Sequence, residues 1–184
     1  DGDAFKDSCG GCVGGTTGMG ACSDSPELFS QEEENLITTN NTTRSMHATD
    51  LDSDGYMDVL LATDFMILWE RNNGNSGNFD WIPIEYDLSD GRSVFSADID
   101  SDGDMDVVSA SSSRITWHEN DGNENFISID ITDSAEGAYF VSAIDMDSDG
   151  DMDILSASEN DDTITWYEND GATNPTWAAT DIAT

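Results

Sequence analysis

Basic residues are almost missing from this chain: five Lys and Arg stand against 40 Asp and Glu, a formal net charge of −35 over 184 residues. Such a surface repels polyanions, which excludes nucleic acid and anionic membrane surfaces as partners and leaves cations as the natural ones. No run of about 18 apolar residues occurs, so no segment reads as a membrane insertion. The hydrophobic fraction of 36% still suffices for a core of domain size. No leader segment is recognisable at Asp1, so the chain is expected to be cytosolic, already processed, or excised from something longer.

Cysteine is absent after residue 22. The three present, Cys9, Cys12 and Cys22, lie in SCGGCVGGTTGMGACS. Cys9-x-x-Cys12 lacks the neighbours that would complete a four-ligand zinc site, and no βαβ context supports a redox motif. Disulfide chemistry outside the cell is the preferred reading, with one thiol of the odd set left for another chain or for residues outside this sequence.

Catalytic signatures are missing too. The two histidines, His47 and His118, fall at unrelated places, and no Gly-x-Ser-x-Gly elbow, His-Glu-x-x-His or phosphate loop occurs. Carboxylate pairs are so common that they carry no information about glycosidase chemistry. The chain is not expected to be an enzyme.

What the chain does contain is a repeat. DLDSDGYMD at 50–58, DIDSDGDMD at 98–106 and DMDSDGDMD at 145–153 are followed at matching places by Trp69, Trp117 and Trp166. A period of 47–49 residues marks a repeat architecture. Each unit orders an apolar strand, the acidic loop, a second apolar strand, a tryptophan strand, an Asn/Gly turn and a last alternating strand. In the second unit these are SVFSAD, DVVSAS, RITWHE and FISIDIT, with NDG at 120–122 supplying the turn. Alternation places Ile115 and Trp117 on one face, Thr116 and His118 on the other. The expected fold is all-β: three tandem four-stranded antiparallel blades of β-propeller type, with repeats at 44–91, 92–138 and 139–184. Residues 1–30, rich in Gly, Ser and Thr, read as an irregular arm or linker, and residues 31–43, with ENLITTN, as a strand without a blade of its own.

The acidic loops ask for a cation. A hard divalent ion takes about six to eight oxygens in flexible geometry, and D-x-D-x-D-G-x-x-D offers carboxylates at positions 1, 3, 5 and 9 and a backbone carbonyl at position 7. Calcium fits this set better than magnesium, whose octahedron is stricter. The candidate ligands are Asp50, Asp52, Asp54 and Asp58 with the carbonyl of Tyr56; Asp98, Asp100, Asp102 and Asp106 with that of Asp104; and Asp145, Asp147, Asp149 and Asp153 with that of Asp151. Tyr56 in place of an acid at position 7 agrees with a backbone-only role there. About three calcium ions are expected, one per repeat.

Residues 44–184 resemble FG-GAP/VCBS-type calcium-loop repeats, the units of many secreted proteins and of the integrin α-subunit propeller. The resemblance implies a four-stranded blade with calcium between its first two strands, bound by the residues just named, and an extracellular, secreted or cell-surface location. The cysteine-bearing arm is similar to linkers of large secreted bacterial proteins. Closed propellers have about four to eight blades, and three leave sheet faces and edges uncovered, so other copies of the same chain are the expected partners, joined head to tail into a filament or multi-chain assembly. The alternative is a carbohydrate-binding or accessory domain of a secreted polysaccharide-active enzyme. Trp69, Trp117 and Trp166 read as core because they recur at one repeat position, which leaves Trp81 and Trp177 as the candidate glycan contacts. Asn40 and Asn41 both sit in Asn-x-Thr sequons.

Overall fold

The computed structural model describes residues 42–75 and 77–184. The arm with Cys9, Cys12 and Cys22, the ENLITTN strand and the two sequon asparagines lie outside the described residues. Among the described residues every element is a strand, and no helix long and apolar enough to cross a membrane is present.

Three meanders follow one another. The first blade is β1 (Thr43–Thr49), β2 (Asp58–Thr63), β3 (Ile67–Asn72) and β4 (Phe79–Glu85); the second is β5 (Gly91–Ala97), β6 (Asp106–Ser111), β7 (Arg114–Asn120) and β8 (Phe126–Thr132). The third is β9 (Ala138–Ile144), β10 (Asp153–Ser158), β11 (Thr163–Asn169) and β12 (Trp177–Ala183). Within each sheet the strands are hydrogen-bonded in chain order and antiparallel, so the expected blade architecture is what the chain adopts. The acidic loop joins the first two strands of each blade, and the Asn/Gly turn joins the last two.

The blades stack face to face. One apolar cluster gathers Leu60, Ala62, Ile67 and Trp69 of the first blade against Val94 and Val107 of the second. Its counterpart gathers Val108, Ala110, Ile115 and Trp117 of the second against Val141, Ile154 and Tyr167 of the third. Period-2 alternation produces this directly: along β6, Val107 points to one neighbour and Val108 to the other. Every residue of β6 is buried because the second blade is covered on both faces. Ser109 and Ser111 are tolerated there because small side chains fit between closely packed sheets.

The four arginines of the described residues each hold two carboxylates. Arg71 pairs with Asp80 and reaches Glu124 of the second blade, and Arg114 pairs with Asp130 and reaches back to Glu85 of the first at 3.3 Å. Arg92 contacts Asp90 at 2.7 Å and Glu159 of the third blade at 3.7 Å, while Arg44 bridges Asp64 and Asp90. The few cations are spent at the seams between units, where like charges would otherwise meet.

Candidate functional site

Each acidic loop is wound by its own carboxylates. In the first, Asp50 accepts hydrogen bonds from the amides of Asp54 and Gly55, both at 3.0 Å, and Asp54 accepts one from Tyr56 at 2.8 Å. The second and third loops repeat the pattern: Gly103 donates to Asp98 at 3.2 Å and Gly150 to Asp145 at 3.2 Å. Two residues per loop take positive φ, the glycine at position 6 and the serine at position 4, with Ser53, Ser101 and Ser148 at 57°, 60° and 67°. The glycines adopt this region freely, whereas the serines do so under strain.

This winding draws the acids together. Carboxylate oxygens of Asp50, Asp52 and Asp58 lie within 4.8 Å of one another, as do those of Asp98, Asp100 and Asp102, and those of Asp145, Asp147 and Asp153. That separation is about twice a calcium–oxygen distance of 2.3–2.6 Å, so one ion can touch all three oxygens. Asp98 Oδ1 is buried and accepts no hydrogen bond from the protein. Burial and the neighbouring carboxylates push Asp52 and Asp100 above the usual carboxylate range, and burial does the same to Asp147. A buried oxygen without a donor, among carboxylates that resist ionising side by side, is the environment a divalent cation relieves. The residues present fit calcium. Positions 1 and 3 converge in all three loops; position 9 joins them in the first and third, and position 5 in the second.

Position 9 has a second task. Asp58 accepts from the amides of Leu51 at 3.1 Å and Asn72 at 2.7 Å. Asp106 accepts from Ile99 and Asn120, and Asp153 from Met146 and Asn169. These aspartates are almost completely buried and clamp the start of the loop to the end of the tryptophan strand. Burial pushes Asp106 up to about 7.

Sequence reasoning missed the asparagines that complete this clamp. The side-chain amides of Asn72, Asn120 and Asn169 donate to the carbonyls of Met57, Met105 and Met152 in the loop, at 3.0–3.2 Å. Their oxygens accept from Gly74, Gly122 and Gly171. Asn169 also donates to Ile99 of the second blade at 3.0 Å. The recurring Asn of NNG and NDG was a visible signal, but it reads as turn chemistry alone. The position 7 side chains lie over the glycine of the same turn: a Cβ on Gly122 would strike the Asp104 carboxylate, one on Gly171 that of Asp151, and one on Gly74 the Tyr56 ring. These side chains are occupied at the turn, which fits an ion contact through backbone only at position 7.

Two clefts lie at the seams. One of about 320 Å³ is lined by Trp69, Asp52, Asp54, Asp104, Asn120 and Glu124, between the first two blades. Another, of about 230 Å³, presents Thr132, Ser134, Asp161, Thr163, Thr165 and Tyr167. Of the candidate glycan contacts, Trp81 is 46% exposed, whereas Trp177 packs against the apolar cluster of the second and third blades. His118 is fully buried, with Ser109 Oγ at 2.9 Å from Nε2, Ser128 Oγ at 2.8 Å from Nδ1 and Glu85 at 3.5 Å. Ser, His and Glu at such distances have the atoms of a nucleophile relay, but Ser109 and His118 have no solvent-exposed surface, and the group packs a seam.

A family model described as FG-GAP-like repeat matches residues 50–109 and 98–156. No curated protein matches the chain. Among solved structures the chain is similar to an Agrocybe aegerita lectin described as specifically recognising non-reducing terminal N-acetylglucosamine, at 19% identity and a TM-score of 0.54. That likeness covers 75% of this chain and 37% of the lectin chain, so the chain spans well under half the length of the protein it matches.

Proposed function

Because the chain belongs to the FG-GAP-like repeat family, we propose that it is a calcium-braced, non-catalytic extracellular module whose blades serve as a scaffold and associate head to tail with other copies. The observation that carries this reading is the convergence of three carboxylates at one point in every blade, with Asp98 Oδ1 buried and without a donor. Asp50, Asp52 and Asp58 in the first loop, Asp98, Asp100 and Asp102 in the second, and Asp145, Asp147 and Asp153 in the third hold one ion per blade. The ion offsets two of the loop's negative charges and fixes its path between the first two strands. Titration with calcium in a calorimeter tests the assignment: about three equivalents of binding that abolish the loss of melting temperature caused by chelator support it, and an unchanged melt in chelator sinks it.

Carbohydrate binding is the second reading, and the lectin likeness favours it. Non-reducing sugar ends present hydroxyls that suit carboxylates and amides, the chemistry of the seam cleft with Asp52, Asn120 and Glu124. A glycan array separates the two readings. Specific binding lost in Glu124→Ala or Trp81→Ala supports the second, and silence across neutral and acidic glycans leaves the scaffold alone.

A further inference from the structure

The two seams inside the chain follow one plan and differ at one corner. At the first seam the Arg114 guanidinium lies between two carboxylates, Glu85 at 3.3 Å and Asp130 Oδ2 at 3.4 Å, while Asp130 Oδ1 accepts from Thr116 at 3.0 Å. The adjoining His118 is held from both sides, by Ser109 at 2.9 Å and Ser128 at 2.8 Å. Strand register gives the counterparts at the second seam: Thr163 stands for Arg114, Thr132 for Glu85, Tyr167 for His118 and Asp181 for Asp130.

At the second seam two carboxylates are again present, but the guanidinium is not. Asp181 accepts from Thr165 at 2.9 Å through Oδ1, as Asp130 does from Thr116, and its Oδ2 has no partner among the described residues. The turn before Thr163 spans residues 159–162, two more than the turn at 112–113, and contributes a second acid: Asp161 Oδ1 accepts from Thr163 at 2.9 Å. No arginine of the described residues pairs with either acid. What stands there is the cleft of about 230 Å³, with Asp161, Asp181 and Thr163 on the third blade facing Thr132 and Ser134 of the second. Tyr167 lines it at 4% exposure, and among the described residues its hydroxyl has one hydrogen-bond partner, Ser156 Oγ at 3.5 Å, at the limit of a bond. Burial raises this hydroxyl above its ordinary range, and the negative fields of Asp161 and Asp181 add to it, so both acids lie near the same buried oxygen. A buried hydroxyl so weakly partnered is a cost that a donor entering the cleft removes.

We propose that the cleft of the second seam binds a guanidinium group from a ligand or partner, in the place that Arg114 fills at the first seam. The chemistry is that of the filled seam: a planar fork of N–H donors serves two carboxylates at once, and here a further N–H meets the oxygen of Tyr167. An ammonium offers a point charge without the fork and fits less well. The net charge of −35 concentrates cations at the surface, and the cleft selects among them by shape. The guanidinium comes either from an arginine side chain of a partner protein or from a free guanidino compound. The site depends neither on the ions of the acidic loops nor on association between copies.

Titration of the whole chain in saturating calcium, at constant ionic strength and followed by amide NMR shifts, provides the test. The probes are acetyl-arginine amide, methylguanidinium and acetyl-lysine amide. Saturable shifts centred on Asp161, Thr163, Tyr167 and Asp181 are expected, with the arginine amide binding more tightly than the lysine amide. Asp181→Asn, which preserves the Oδ1 acceptor for Thr165, should weaken binding at least about tenfold. Thr163→Arg returns the chain's own guanidinium to the cleft, so it should abolish binding and raise the melting temperature. Equal affinity for methylguanidinium and the arginine amide supports the site and assigns it to free guanidino compounds, whereas tighter binding of the amide assigns it to an arginine of a partner protein. Shifts spread over the acidic loops and equal for the lysine amide reveal only the counterion cloud of an acidic surface and overturn the proposal. Binding that survives unchanged in Thr163→Arg or in Asp181→Asn overturns it as well.

Discussion

The side chain of Asn169, at the end of the third blade's tryptophan strand, donates a hydrogen bond at 3.0 Å to the backbone carbonyl of Ile99 in the acidic loop of the second. One residue thus ties its own loop through Met152, its own turn through Gly171, and the neighbouring blade's loop. Asn169 is 1% exposed, so these bonds have no water to replace them. Asn169→Ala leaves the buried carbonyl of Ile99 without this donor, and removes the part-buried bond to Met152, and should cost about 2–3 kcal/mol. Asn72→Ala, which breaks no bond between blades, should cost less. Urea unfolding of both variants in saturating calcium checks the order.

Calcium should stabilise every blade. An ion present at about 100 times its dissociation constant adds about 2.7 kcal/mol per site, and three ions reduce the formal charge from −35 to −35 + 6 = −29. Chelator should therefore lower the melting temperature by well over ten degrees for a domain of this size. Asp98→Asn removes the acid whose Oδ1 lacks a donor and should cost one ion of three in a calorimetric titration, with the other two retained.

Backbone conformation predicts two substitutions of opposite sign in one blade. Ser101 sits at φ 60° beside Gly103, and Ser101→Gly should add about 0.5–1 kcal/mol by removing a side chain from a strained region. Gly122→Ala should cost about 1–3 kcal/mol, because φ is 70° and its Cβ would meet the Asp104 carboxylate. Adding Asp104→Gly to Gly122→Ala relieves the collision and leaves the φ strain, so the double variant should recover only part of the loss. Chemical denaturation with an unchanged m-value reads all three.

Acidification should open the first seam through His118. Burial, aided by the nearby Arg114 cation, lowers its pKa to about 3, so it is neutral in the fold but protonates near 6.5 when unfolded. A depressed histidine holds fewer protons folded than unfolded, so its contribution is full above 6.5 and is lost as the pH falls toward 3. Glu85, raised chiefly by burial, and Asp106 act with the opposite sign, and Asp130 lies beside Arg114 in the same cluster. Comparison with His118→Gln isolates the histidine: the wild-type chain should lose stability relative to the variant between pH 6.5 and 4. Parallel curves would show that the ring does not titrate there.

The strands were legible because each blade reuses one alternating pattern: β6, β8 and β10 occupy the residues expected from DVVSAS, FISIDIT and DILSAS. The loop acids were legible because position and spacing carry the chemistry, and the positive φ of position 6 follows from Gly. What was not legible depends on adjacency through space. NDG announces a turn, but nothing in the letters says that Asp104 lies over Gly122, or that Asn120 reaches Met105. Position 9 reads as one more acid until its two oxygens are seen holding two amides from distant strands. Trp177 reads as a surface ring because it stands outside the repeat position shared by Trp69, Trp117 and Trp166, yet it packs against the apolar cluster of the second and third blades.

The ion-paired arginines have a consequence for how the chain meets proteases. Arg44, Arg71, Arg92 and Arg114 all lie within strands, in β1, β3, β5 and β7, and the acidic loops and turns offer no basic residue. A trypsin-like enzyme needs an extended, accessible segment around its basic residue, and here each such segment is hydrogen-bonded into a sheet with its guanidinium held by carboxylates. Cleavage in the blades must wait for a strand to detach. The rate of tryptic nicking at these four sites therefore measures blade opening directly, and the third blade, which has no arginine, is invisible to it.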